Sequence, residues 1–456
     1  MQRAMALALA MGILLGTVPL VAAASPATFG TPTALSTFNT SVVFSQPVTV
    51  SAPLGQVEIL LTVADAIGPE VVEVPPPAAG SSTLSYALDT AGAAHMIPNT
   101  PIIARWRVSP LGDPSAVALG PELRLVYADD RFQWKTASGP LVRVHWYQGD
   151  ATFGAKALKL GEDEVRATSK LLGVTETTPL DFFVYATVDE FYGAIGAGSH
   201  ENVAGSAYAD IRTMLGLIPP DQIDDPLVAV RIPHEFVHLV FNTASQNPYH
   251  SPPRWLNEGL AVYQSEGYGV SDRAMVTDAA ANGTLIPLGG LIGQFPNGND
   301  FFLAYAEAVA AVDFMIRTYG SAALVTLIRS YAGGRTDDEA FKDALGVDTT
   351  AFGAAWFANV HATPKQSSGP QPAPPGPVPS AWLGGIAGAS PAPGSPGAAA
   401  GASAGNGPAS ATPGSVGAGS AGASAWLGFL VALVVIVLIV AGLFALRRRQ
   451  ARPPSP

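Results

Sequence analysis

No cysteine occurs anywhere in the 456 residues. That excludes disulfides, cysteine-ligated zinc and a thiol nucleophile, and it leaves the redox compartment open. Charge is scarce too, at 13% of residues. Lys and Arg (24) fall short of Asp and Glu (35), for a net charge of −11. An acidic chain of this kind argues against nucleic acid as a partner. Histidine is also rare, with only seven in the whole chain. Two of those seven, His234 and His238, stand four residues apart.

What is present divides the chain into stretches of different character. Residues 1–24 read as a secretory signal, with Arg3 as the positive start, an apolar run from Ala4 to Val21, and Ala22-Ala23-Ala24 as a small-residue cleavage site. Residues 25–129 carry short runs rich in Val, Ile, Thr and aromatics, broken by Pro and Gly. The strand candidates are Ser41–Phe44, Val48–Val50, Val57–Val63, Ile102–Val108 and Leu123–Tyr127. That spacing predicts an all-β sandwich of immunoglobulin or fibronectin type. It shows no aromatic ligand platform, so a structural role is expected for it.

Residues 362–424 are rich in Pro, Gly, Ala and Ser and cannot build a core. A flexible coil of that length spans about 45 Å root-mean-square. Trp426–Leu446 then runs 21 residues without a charge, enough to cross a bilayer. Arg447, Arg448, Arg449 and Arg452 follow, so the positive-inside rule puts 447–456 in the cytoplasm. The expectation is a transmembrane helix over 425–446, a lipid bilayer as partner and an N-terminal ectodomain outside the cell.

The chemistry concentrates between Arg231 and Tyr263, RIPHEFVHLVFNTASQNPYHSPPRWLNEGLAVY. His234, Glu235 and His238 form H-E-x-x-H. On a helix, positions i and i+4 share one face, about 6 Å apart along the axis. Two imidazoles there reach one metal, and Glu235 stands close enough to act as a base without ligating. Glu258, 20 residues past His238 in a second apolar run, is the candidate third ligand. A carboxylate in an apolar helix needs a partner. The loop between, roughly Asn242 to Pro253, reads as a helix–helix connection. Pro233 leaves two starts open for the metal helix, one at Asp225-Pro226 and one at Pro233 itself.

The HEFVH and WLNEGLAVY runs resemble the gluzincin clan of zinc metallopeptidases, and more closely its peptidase MA-like family. The similarity continues through FFLAYAEAVAAVDFMIRTYG and RTDDEAFKDALGVDTTAFGAAWFA, so it covers roughly residues 130–361. The resemblance implies an α+β gluzincin-like catalytic domain with a mostly helical C-terminal part. It implies one zinc held by His234, His238 and Glu258, with Glu235 as general base and acid on a peptide or protein substrate. Gluzincins commonly bring a tyrosine hydroxyl to the oxyanion from a downstream helix, which makes Tyr305 a second catalytic candidate. Tyr208 and Tyr263 are weaker ones. Glu266 and Asp272 are candidates to back the ligating imidazoles. His250 and His200 read as loop residues. No G-x-M-E-N run of the kind zinc aminopeptidases use is present, which leans towards an endopeptidase.

Elsewhere in 130–361, periodicity predicts a hairpin from Phe132–Lys135 and Leu141–Trp146, a helix over Phe153–Leu172, a strand over Leu180–Ala186, a helix over Val188–Ile195 and a strand over Val203–Tyr208. Helices follow at Asp272–Asn282, Phe301–Thr318 and Ala322–Tyr331. A capping box at Thr336–Glu339 starts another, and Asp348 caps the last. Two rivals stay open: a surface binding protein on a gluzincin fold without turnover, and a zinc hydrolase of another amide or ester. Oligomeric state is not readable.

Overall fold

The computed structural model describes residues 25–92, 95–196, 204–296, 298 and 300–363. The expected signal segment, the His200 loop, almost all of the low-complexity stretch, the transmembrane helix and the basic tail lie outside the described residues. The described residues fall within one compact unit.

The N-terminal part is all β: β1 (Ala27–Phe29), β2 (Thr33–Thr37), β3 (Ser41–Val50), β4 (Leu54–Val63), β5 (Glu70–Glu73), β6 (Gly80–Asp89), β7 (Thr100–Pro110), β8 (Ala118–Leu119) and β9 (Leu123–Tyr127). They form two antiparallel sheets. In one, β3 is flanked by β6 on one edge and by β1 and β2 on the other. In the other, β4 joins β5 to β7, and β7 carries β8 and β9. Val42, Phe44 and Val48 of the first sheet share one core with Ile59, Leu61 and Trp106 of the second.

Two runs expected as separate strands, Ser41–Phe44 and Val48–Val50, are one strand across Pro47. Pro47 falls where β2 has ended at Ser45 and β1 begins at Val48, so its missing N–H faces a gap in the ladder. Its carbonyl accepts from Gly30 N at 2.8 Å. Strands β2, β5 and β6 were not anticipated. Strand β6, GSSTLSYALD, opens on Gly80-Ser81-Ser82-Thr83 and fully buries only Leu84, so its apolar alternation is confined to Leu84, Tyr86 and Leu88.

The second part begins with a five-stranded mixed sheet in the order β10-β11-β12-β14-β13. Its strands are β10 (Lys135–Ser138), β11 (Val142–Trp146), β12 (Leu180–Tyr185), β13 (Gly205–Tyr208) and β14 (Thr213–Leu217). Helix α1 (Ala151–Leu172) makes the crossover from β11 to its parallel neighbour β12. Helix α2 (Val188–Ile195) follows β12. The first strand of the hairpin starts three residues later than expected. Phe132 and Trp134 instead build an aromatic cluster, with Phe132 stacked on Tyr147 at 4.0 Å.

All later elements are helical: α3 (Val228–Ser245), α4 (Arg254–Ser265), α5 (Val270–Asn282), α6 (Asp300–Tyr319), α7 (Ser321–Ala332), α8 (Asp337–Leu345) and α9 (Thr349–Asn359). The capping box at Thr336 and Glu339 is made, and Asp348 caps α9. No single helix among the described residues is long and apolar enough to cross a membrane. Helix α6 is apolar because it is buried on nearly every side.

The two parts share their interior. Tyr185, Phe191 and Leu215 belong to the same core as the β strands. At the joint, Asn99 donates to Asp181 Oδ2 (3.1 Å) and to Thr213 Oγ1 (2.8 Å). Asp181 also receives Arg143 through two nitrogens, at 2.8 and 2.7 Å, and lies 2.9 Å from His145 Nε2.

Candidate metal centre

Helix α3 starts before Pro233 and runs through it, with Asp225 Oδ1 accepting from Leu227 N at 2.8 Å just ahead of the first turn. It also continues to Ser245, three residues past the expected loop start. Its apolar face, including Ile232, Phe236, Val237 and Val240, is buried. Phe236 meets Phe182 of β12 edge-on, ring centroids 5.6 Å apart. Burial of that face turns His234, Glu235 and His238 to the opposite side, into a cleft. Helix α4 is seated by a loop: Arg254 N donates to Ile292 O (2.8 Å) and Trp255 N to Leu291 O (3.1 Å). Gly259 lets α4 touch α6, since a Cβ there would lie 2.4 Å from the Ala308 carbonyl oxygen.

These two seatings bring His234, His238 and Glu258 together. Their ligand atoms all lie within 4.8 Å of one another. Glu258 Oε2 stands 3.5 Å from Nε2 of His234 and 3.5 Å from Nε2 of His238. That oxygen is buried and has no hydrogen-bond partner. A tetrahedral ion with arms of about 2.1 Å has ligand–ligand edges of about 3.4 Å. Spacing, donor types and the orphaned oxygen therefore fit zinc.

The electrostatics also call for a cation. Burial works to raise the Glu258 carboxyl, but His238 and His234 hold it well below the usual carboxylate range. Burial opposes a charged His238 ring, yet Glu258 beside it raises that imidazole to about 9. His238 Nδ1 lies 2.8 Å from Oδ1 of Asn257, which accepts its proton and leaves Nε2 free for the cleft.

Glu235 stands between the imidazoles and the edge strand β13. Burial pushes its carboxyl up; the two imidazoles and the Ala207 amide pull it back. Gly205 is needed beside it, because a Cβ there would come within 2.7 Å of Glu235 Cγ. Tyr305 of α6 lines the same cleft, its ring centroid 6.4 Å from that of His234. Burial, then the Glu258 charge, push its hydroxyl up, so it stays a protonated donor.

The other candidates separate. Tyr208 lines the cleft, whereas Tyr263 packs against the core. His250 lines the cleft and is pinned by Asp337 at 2.9 Å. Glu266 and Asp272 line it as well, and Asp272 also accepts from Gly269 N at 3.1 Å at the start of α5. The group that backs His238 is Asn257. Sequence reading missed it, although its place one residue before Glu258 was a signal. Asp65 and Ile67, from the turn after β4, also line the cleft, so the N-terminal part contributes to its wall. The cavity measures about 1610 Å³.

Residues 162–362 match the family model described as the Peptidase MA superfamily. The matched segment covers less than half of the chain and resembles that superfamily. The match begins inside α1 and takes in α3, α4 and every later helix, so the MA segment contains the whole metal cluster. No curated protein matches the chain. Among solved structures, an M1 zinc metallopeptidase from Deinococcus radiodurans aligns at 13% identity and a TM-score of 0.35, over 72% of this chain and 93% of that one. An aminopeptidase N family protein from Idiomarina loihiensis aligns at 10% identity and a TM-score of 0.38, over 69% and 73%. A beta-glucuronidase from Parabacteroides merdae aligns at 11% identity and a TM-score of 0.17, over 35% and 21%.

Proposed function

We propose that this protein is a zinc metallopeptidase, exported by residues 1–24 and anchored in the cell membrane by residues 425–446. Its β domain (25–129) and its peptidase domain (130–361) stand outside the cell on the 362–424 tether, and residues 447–456 lie in the cytoplasm. The observation that carries the enzymatic reading is the unpartnered, buried Glu258 Oε2 facing both imidazoles at equal distance, with Glu235 adjacent.

One zinc per chain is held by His234, His238 and Glu258. When bound, it supplies a Lewis acid and lowers the pKa of water at the site. The remaining work falls to the protein. Glu235, its proton affinity raised by burial, accepts the proton of the attacking water and hands it to the leaving amine. The Tyr305 hydroxyl donates to the carbonyl oxygen as charge builds on it. Among the described residues strand β13 pairs with β14 alone, and its other edge offers its backbone to an extended peptide. The cleft exceeds the roughly 300–1,000 Å³ of small-molecule pockets, which favours a polymer. No G-x-M-E-N run is present to hold a free amine, and on that ground endopeptidase activity is favoured.

The test uses unfolded proteins and peptides with free or acetylated N-termini. Internal cleavage of both kinds supports the reading. Cleavage of free N-termini alone makes it an aminopeptidase. Zinc binding with no peptide cleavage turns the reading to a surface binding protein or a hydrolase of another amide or ester.

A further inference from the structure

A carboxylate has two oxygens, and a ligand is useful only if the right one faces the metal. Glu258 Oε1 is 3.0 Å from Arg254 Nη2, which leaves Oε2 to the imidazoles. Arg254 sits one helical turn earlier on α4 and is itself held on several sides. Its backbone is fixed by Ile292 O, its Nη1 donates to Gln294 Oε1 at 2.8 Å, and its guanidinium lies 5.4 Å from the Phe295 ring centroid.

We propose that Arg254 is a positioning residue: it holds Glu258 Oε1 and so selects Oε2 as the oxygen offered to the metal. The planar fork lets one side chain serve Glu258 and Gln294 together, which a lysine cannot do. An ordinary helix-surface ion pair at this spacing is weak and would set nothing. The proposal rests on the zinc reading of the site and not on peptide turnover.

The experiment is a chelator competition for zinc on the full chain, with kcat and KM beside it. Arg254→Met is expected to bind zinc about 10- to 100-fold more weakly, in line with loss of a group that orients a ligand. Arg254→Lys falls between it and the native chain, and Gln294→Ala gives a smaller loss of the same sign. Native zinc affinity in folded Arg254→Met overturns the proposal. If that variant does not fold, native affinity in both Arg254→Lys and Gln294→Ala overturns it. A chain that binds zinc but cleaves no peptide sinks the peptidase reading, and the affinity series still decides on Arg254.

Discussion

Two buried carboxylates in this unit have histidines at their side, and their fates differ. Asp181 is 6% exposed, and its oxygens are taken by Arg143, His145 and Asn99. Glu258 is also 6% exposed, but only Oε1 is taken, by Arg254; Oε2 faces two imidazole nitrogens with no donor. The first cluster is closed and holds the β part to the mixed sheet. The second is open by one oxygen. Burial of polar groups is tolerated when they are paired, so an unpaired oxygen that faces two imidazole nitrogens marks a place where a metal binds. The contrast separates a structural ion cluster from a functional one without reference to motif.

The largest effect should come from the open cluster. Glu235→Gln is expected to keep zinc and lose peptide turnover by about 10²–10⁴-fold, the range of a positioned acid–base group. His238→Ala should lose both zinc and turnover. Paired metal analysis and peptide assays check this, and normal turnover in Glu235→Gln would break the mechanism.

The closed cluster should respond in stability alone. Asp181→Asn is expected to cost about 2–3 kcal/mol, as hydrogen bonds to a charged group are lost. Zinc content should stay at the native level. Urea unfolding beside metal analysis reads both, and a loss of zinc with stability unchanged would erase the distinction drawn here.

A third carboxyl sharpens the comparison through pH. Glu307 on α6 is fully buried and meets only the Ile286 amide, at 3.0 and 3.2 Å. Burial raises its carboxyl to about 8. The stability it contributes is full below the unfolded range near pH 4.5 and is lost as pH rises towards 8. For Asp181 the sign reverses. Burial opposes ionisation, but His145 and Arg143 lower its pKa, so its stability is present above the unfolded value near 3.8 and lost as pH falls. Melting temperatures between pH 3 and 9 should therefore fall more steeply on the alkaline side in the native chain than in Glu307→Gln, and more steeply on the acid side than in Asp181→Asn. Parallel curves would contradict the assignment.

Removing the metal tests the open cluster through stability. A ligand that binds only the folded chain stabilises it by about 2.7 kcal/mol at a hundredfold excess over its Kd. A chelator should lower the melting temperature of the native chain and leave His238→Ala unmoved.

Much of this site was legible because it is built from near neighbours. His234 and His238 share a helix turn, and the downstream helix carrying Glu258 needed only an apolar pattern to be found. Arg254 and Asn257 were readable by the same rule. They stand four and one residues before Glu258, yet an arginine at a helix start looks like any solvated charge until its partners are known. The β part was less legible. Strand β6 opens on a run of small and polar residues, and Pro47 splits a strand on paper that stays whole in the sheet. In the mixed sheet, β14 is only the short run Thr213–Leu217. The shared core was hidden for a different reason. Tyr185 and Leu215 look alike in sequence whether they fill one domain or join two, because burial has no direction along a chain.

The central claim is that the open oxygen of Glu258 and the two imidazoles hold zinc. The most direct test is the metal content of the purified protein beside its Glu258→Gln and His238→Ala variants. About one zinc per chain in the native protein and little in either variant is the predicted result. A folded native chain that takes up no zinc would contradict the account and leave an open cluster without a ligand.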